Sequence, residues 1–171
     1  MTSPSVIDTN VLKYFFDEML SDKEDKFSIA VRAVMSKGAV AIDDEGQARQ
    51  EYLDCCKPSS VGLSLDDWVV LQLNNGAFRV FQMDKSARNE LRKLGLPNKD
   101  HKWVFIAKGS SADLIVSEDI DLFDPKSKKS TEKVKAKIKR NSSGPVAKYL
   151  KKKHGITVCC CDGALCFVSS E

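Results

Sequence analysis

Apolar residues along the chain fall into two rhythms, short unbroken runs and longer stretches that repeat every three to four residues. "PSVID" at 4–8, "AVAID" at 39–43, "ADLIVSED" at 112–119 and "ITVCCC" at 156–161 are the short runs. Runs this short and almost wholly apolar suit parallel strands buried on both faces. Helical spacing follows the first run, where Val11, Leu12, Phe15, Phe16, Met19 and Leu20 share one broad face. A second helix is predicted over Glu24–Met35, with Phe27, Val31 and Val34 inward and Gly38 beyond its end.

After the second strand, "DDEGQARQEYLDCC" predicts a helix capped by Asp43 or Asp44 and ended by Pro58. "LSLDDWVVLQL" places Leu65, Trp68, Val69 and Leu73 at helical spacing, and "DKSARNELRKLG" reads as a short helix closed by Gly95. "DHKWVFIAKGS" predicts a buried helix ending near Gly109. "EKVKAKIKR" is ambiguous, since its lysines alternate as in a strand while Val134 and Ile138 are four apart as in a helix. In "SSGPVAKYLKKKHG", Pro145 suits a first helical position and Gly155 the stop. Asp162-Gly163 reads as a turn that folds the last strand back as "ALCFV". Strands alternating with helices predict an α/β protein with a mainly parallel sheet covered on both faces.

A length of 171 residues suits one domain, 1–171, and is short for two. The start of the chain has no basic-then-apolar leader and no apolar run reaches spanning length, so the expectation is a cytosolic protein with no membrane partner. Six cysteines are then expected as reduced thiols, those of "VCCC" as small apolar residues of a strand. His154 with Cys159–Cys166 could be considered for zinc, but paired CxxC arms are lacking.

The net charge of +3 conceals an asymmetry. Of the 27 Lys/Arg and 24 Asp/Glu, twelve bases and one acid (Glu132) lie within 126–153, leaving +11 there and −8 elsewhere. This lysine-rich segment is either a solvated face or a surface for a phosphate backbone, with Lys151, Lys152 and Lys153 as candidate nucleic-acid contacts.

Four acids occupy comparable places. Asp8 ends the first strand, Asp119 ends the third with Asp121 two residues on, Glu51 lies in the helix after the second, and Asp100 opens the helix "DHKWVFIA". In a doubly wound sheet these sites converge on one rim. Singly, Asp8 and Asp100 read as helix caps, Glu51 as a solvated acid and Asp119 as a turn former. Together they form a pocket in which two charges about 4 Å apart repel by roughly 4 kcal/mol, so a cation or a proton must compensate. Oxygen ligands without a well-placed histidine suit Mg²⁺ or Mn²⁺. Such a centre activates water and stabilises charge on a phosphorane.

"VIDTNVL", "EYLDC", "DHKWVFIA" and "ADLIVSEDIDLFDP", in this order, resemble the PIN-domain ribonucleases over about residues 5–125. The resemblance implies a three-layer α/β/α sandwich, divalent-metal-dependent endonucleolytic cleavage of single-stranded or structured RNA, and frequent homodimers; single-stranded DNA is the alternative nucleic-acid partner. Many members are toxins with an antitoxin protein partner. It assigns Asp8, Glu51, Asp100 and Asp119 to the family's acidic quartet, Asp121 as an auxiliary acid, and Thr9, Asn10 and Ser117 as groups that orient ligands or water. Glu45 competes with Glu51 for the second place, and Glu51 is preferred because Tyr52 follows it.

The alternative is a PIN-like module that binds RNA or protein without cutting, with Phe15 and Phe16 serving either a dimer face or the core. A haloacid-dehalogenase-type phosphatase is disfavoured because Asn10 stands where a second aspartate is required.

Overall fold

Ser5–Ile7 (β1) leads into Thr9–Leu20 (α1), and Lys26–Lys37 (α2) returns the chain to Val40–Asp43 (β2). Gln47–Cys55 (α3) and Leu65–Asn74 (α4) then precede Phe78–Phe81 (β3). Arg88–Lys93 (α5) and His101–Gly109 (α6) lead to Leu114–Val116 (β4). Glu132–Asn141 (α7), Pro145–His154 (α8), Thr157–Cys159 (β5) and Cys161–Ser169 (α9) complete the chain. This computed structural model describes residues 3–21, 24–55 and 64–169. Cys56 and Pro58, the latter expected to end α3, lie outside the described residues.

Among the described residues the sheet has five strands, all parallel, in the order β3-β2-β1-β4-β5. Helices flank this sheet as a three-layer α/β/α sandwich. α2 packs against both α1 and α9, α6 lies along β1, β2 and β4, and α8 lies along β5. Strands β1, β2 and β4 are buried at every position, as continuous apolar runs require in a sheet covered on both faces. The strand order reverses between β1 and β4, so their carboxyl ends flank the crevice where such sheets take ligands.

Several elements differ from expectation. β3 is a strand that the apolar runs do not predict: "FRVF" is interrupted by Arg79, lies at the sheet edge and leaves Val80 exposed, so it lacks the unbroken apolar signature of the inner strands. The run at 112–119 is therefore the fourth strand. "EKVKAKIKR" is helical, with Val134 and Ile138 at one-turn spacing and Ile138 packed on the core. Asp162-Gly163 does not reverse the chain. It opens helix α9, whose first N–H, that of Cys161, is received by Glu118 Oε1 at 3.1 Å. Gly163 packs closely here, since a Cβ there would lie 3.0 Å from the Cβ of Cys159. Gly155 does stop α8, in the left-handed region at φ +72°.

Phe15 and Phe16 both belong to the core, so the dimer-face alternative does not apply to them. Among the described residues the cysteines are free thiols, and no helix is long and apolar enough to cross a membrane. The lysine-rich stretch 126–153 is the crossover from β4 to β5, running through a 3₁₀ segment (Pro125–Lys129), α7 and α8.

Candidate metal centre

Three strand-end or helix-start aspartates behave in two different ways. Asp43, closing β2, is a cap: its carboxylate receives the N–H groups of Gln47 and Ala48 at 2.7 and 2.8 Å. Asp8 and Asp100 stand just before α1 and α6 but make no capping hydrogen bond. Their carboxylates turn instead into a cavity of about 300 Å³ shared with Glu51 and Asp119. The convergence expected of the four acids is therefore present, at the carboxyl ends of β1 and β4.

Two of its lining acids, Asp100 and Asp119, together with Asp121 beside them, offer oxygen atoms that all lie within 4.8 Å of one another. Among the described residues this is the group of histidine, cysteine or acidic side chains close enough to hold a metal ion. Asp121, expected as an auxiliary acid among the metal ligands, is thus part of the tightest cluster, while Asp8 lines the adjoining cavity outside that cluster.

A hydrogen-bonded frame fixes these groups. The Ser117 hydroxyl donates to Asp8 Oδ2 at 2.5 Å and receives the Asp119 N–H at 2.9 Å. Asp119 Oδ1 in turn receives the Asp121 N–H at 3.0 Å, a local turn that brings the two carboxylates together. Asn10 Oδ1 accepts the Glu118 N–H at 3.3 Å, tying the start of α1 to the loop after β4. Thr9 Oγ1 donates to Glu51 Oε1 at 2.8 Å. Each of the three expected orienting residues therefore contacts an acid or the loop that carries one.

Burial sets the electrostatics. Asp8 is pushed up to about 7, first by burial and then by the charges of Asp119 and Asp100, with the Ser117 hydrogen bond opposing. Asp100 is pushed up to about 6, again first by burial, with Lys99 opposing and Asp119 reinforcing. Asp100 is only 6 % exposed, and its Oδ2 has no hydrogen-bond partner. A buried carboxylate oxygen without a donor is costly. A cation in the cavity would satisfy it.

Glu51 reaches the site already paired with a cation. The choice of Glu51 over Glu45 agrees with the geometry, because Glu45 lies in the exposed turn before α3 and pairs with Lys85 at 2.5 Å. Glu51 does reach the cavity, yet its other oxygen forms an ion pair with the buried Lys102 ammonium, which also donates to the Lys99 carbonyl at 2.5 Å. Its charge is already matched. Asp121 is likewise paired with Lys128 at 2.7 Å. Lys102 and Lys128 carry no motif; pairs so far apart in the chain, or on a lysine-rich turn, become visible only in three dimensions.

Lys151, Lys152 and Lys153 are not brought to this site. α8 begins near it, where the Val146 N–H meets the Phe123 carbonyl at 3.0 Å. Ten residues later, about 15 Å along the axis, the helix ends beside Lys108 and Ala112 at the opposite rim of the sheet. Zinc ligation by His154 and the cysteines is not assembled either. His154 meets the Tyr149 hydroxyl at 3.2 Å, and burial raises the thiols of Cys159 and Cys161 away from the thiolate form that zinc needs. His101, next to Asp100, faces away and contacts the Leu96 carbonyl at 2.9 Å.

The parallel sheet and its switch-point crevice define a doubly wound α/β protein with an acidic centre suited to a hard, oxygen-loving dication. No family model, curated protein or solved structure matches the chain.

Proposed function

We propose that this protein is a divalent-metal-dependent nuclease that hydrolyses RNA phosphodiester bonds, with Asp100, Asp119, Asp121 and Asp8 as the oxygen ligands of Mg²⁺ or Mn²⁺. The observation that carries this reading is the buried, unpartnered Asp100 Oδ2 within a trio of aspartates at the switch point. The ordered motifs that resemble PIN-domain ribonucleases support the choice of RNA. A dication held by these acids supplies electrophilic activation of a phosphodiester and of the attacking water. The chain's own residues do the rest. Ser117 locks Asp8 and Asp119 in register, Asn10 pins the loop that carries Asp119, and Thr9 with Lys102 holds Glu51 at the wall as a neutralised support. Lys13 and Lys99 at the mouth favour an anionic substrate.

Single-turnover cleavage of an RNA and DNA panel, with Mn²⁺ and with EDTA, tests this. The parent cuts RNA only with the ion, and Asp8→Asn and Asp119→Asn abolish cutting while keeping the parental circular dichroism. Parental rates in either variant would overturn the mechanism.

A second reading, a module that binds RNA or protein without cutting it, draws on the ammonium groups of Lys102 and Lys128, which already supply two cations to the cup. It predicts RNA binding by the parent with no Mn²⁺ uptake at millimolar concentration and no cleavage.

A further inference from the structure

The segment 126–140 carries eight Lys/Arg and one acid. Three of these cations are committed. Lys128 pairs with Asp121 at 2.7 Å, Lys139 with Glu118 at 2.8 Å, and Lys135 with Glu132 at 2.9 Å. The first two matter most, because Glu118 and Asp121 flank Asp119 in sequence. The 3₁₀ turn and α7 are therefore stapled at both ends to the loop that carries Asp119 and Asp121.

The cations left over point outward. Lys133, Lys137 and Arg140 are exposed and stand at i, i+4 and i+7, one stripe along a helix that buries none of its residues fully. Lys126 and Lys129, on the 3₁₀ turn whose Lys128 pairs with Asp121, are exposed as well. A helix with so little apolar burial gains little from packing, and like charges one turn apart repel. Its stripe therefore lacks a folding rationale and has a binding one.

We infer that the outer face of α7, through Lys133, Lys137 and Arg140, grips the phosphate backbone of a single RNA strand and leads it to the acidic cup. This rests on the nuclease reading for its choice of polyanion, and it moves the nucleic-acid contact from Lys151–Lys153, at the opposite rim, to the helix tied to the site. Phosphate contacts of this kind position the strand without reading its sequence.

The test is fluorescence anisotropy with a labelled single-stranded oligouridylate in EDTA, titrated over a range of salt, so that binding is scored without cleavage. Neutralising Lys133, Lys137 and Arg140 to Gln lowers the salt slope of log K by about 2, at about 0.7 per lost contact on a single strand. Neutralising Lys151, Lys152 and Lys153 leaves the slope at the parental value, and Lys133→Arg with Lys137→Arg retains it. Such a result supports the α7 surface even if no metal-dependent cleavage is found, which separates its fate from that of the nuclease reading. An unchanged slope in the α7 variant, a loss confined to the α8 variant, or binding of polyglutamate but not RNA by the parent would each overturn it.

Discussion

The Ser117 hydroxyl bridges Asp8 and Asp119, donating to the first at 2.5 Å and receiving the backbone N–H of the second at 2.9 Å. Two acids that end different strands are thereby held by one fully buried oxygen at the seam between β1 and β4. Ser117→Ala removes the one side-chain bond that draws Asp8 toward its ionised form. The Asp8 carboxyl then rises further and competes less well for a cation at neutral pH. The expected outcome is a loss of about 1–2 kcal/mol in stability and roughly tenfold weaker Mn²⁺ binding, read by denaturant melts and calorimetry. Parental Mn²⁺ affinity in this variant would remove Asp8 from the ligand set.

Stability against pH carries the signature of the cup. Asp8 near 7 and Asp100 near 6 lie above the usual carboxylate range, so the folded state holds more protons than the unfolded state between about pH 4 and 7. Their contribution is present at the acid end of that window and is lost as pH rises through it. In EDTA the melting temperature contribution from these groups therefore falls from about pH 4 to pH 7, and Asp8→Asn flattens the fall. Mn²⁺ reverses it, because the ion binds the deprotonated acids. Asp84, held down to about 2 by hydrogen bonds from Ser86, loses its contribution only at more acid pH and does not confuse the window. A melting profile in EDTA that is the same for parent and Asp8→Asn would show that Asp8 is not titrating there.

Lys102 is an internal counter-ion. Its ammonium meets Glu51 and its side chain is buried, so Lys102→Met leaves Glu51 uncompensated in the cavity. In EDTA this costs about 1–3 kcal/mol, moderated because Glu51 keeps some contact with water. Mn²⁺ binding becomes tighter, since the cavity has gained a negative charge. Calorimetry that finds weaker binding in this variant would mean that Lys102 supports the site rather than competing for it.

Tyr52 couples the helix that carries Glu51 to the strand that carries Asp8. Its hydroxyl donates to the Ile7 carbonyl at 2.6 Å, and its ring stacks on Trp103 with centroids 5.8 Å apart. Tyr52→Phe retains the ring contact and leaves a buried carbonyl without its donor, at a cost of about 1 kcal/mol. Thermal melts should register this loss with no change in Mn²⁺ stoichiometry.

Much of the architecture is legible from local pattern. The unbroken apolar runs at β1, β2 and β4, the helical face from Val11 to Leu20, and the Pro145 and Gly155 boundaries of α8 all rest on interactions within a few residues of one another. The acids at strand ends follow from the same logic, because a strand end in a parallel sheet has only one rim to reach. Elements whose signal depends on neighbours were less readable. β3 is an edge strand with exposed positions, and α9 begins at Cys161 because Glu118, far away in sequence, receives its first N–H.

By itself, then, the sequence determined the alternation of strands and helices and the convergence of Asp8, Glu51, Asp100 and Asp119 on one side of the sheet, since both follow from chain-local periodicity and a common strand direction. Only the tertiary structure decided which acids stay available. It gave Glu51 to Lys102, drew Asp121 against Asp119 and Asp100, and carried Lys151–Lys153 to the far rim while fastening α7 beside the cup. Charge pairing acts through space and over a few ångströms, and no spacing along the chain encodes it.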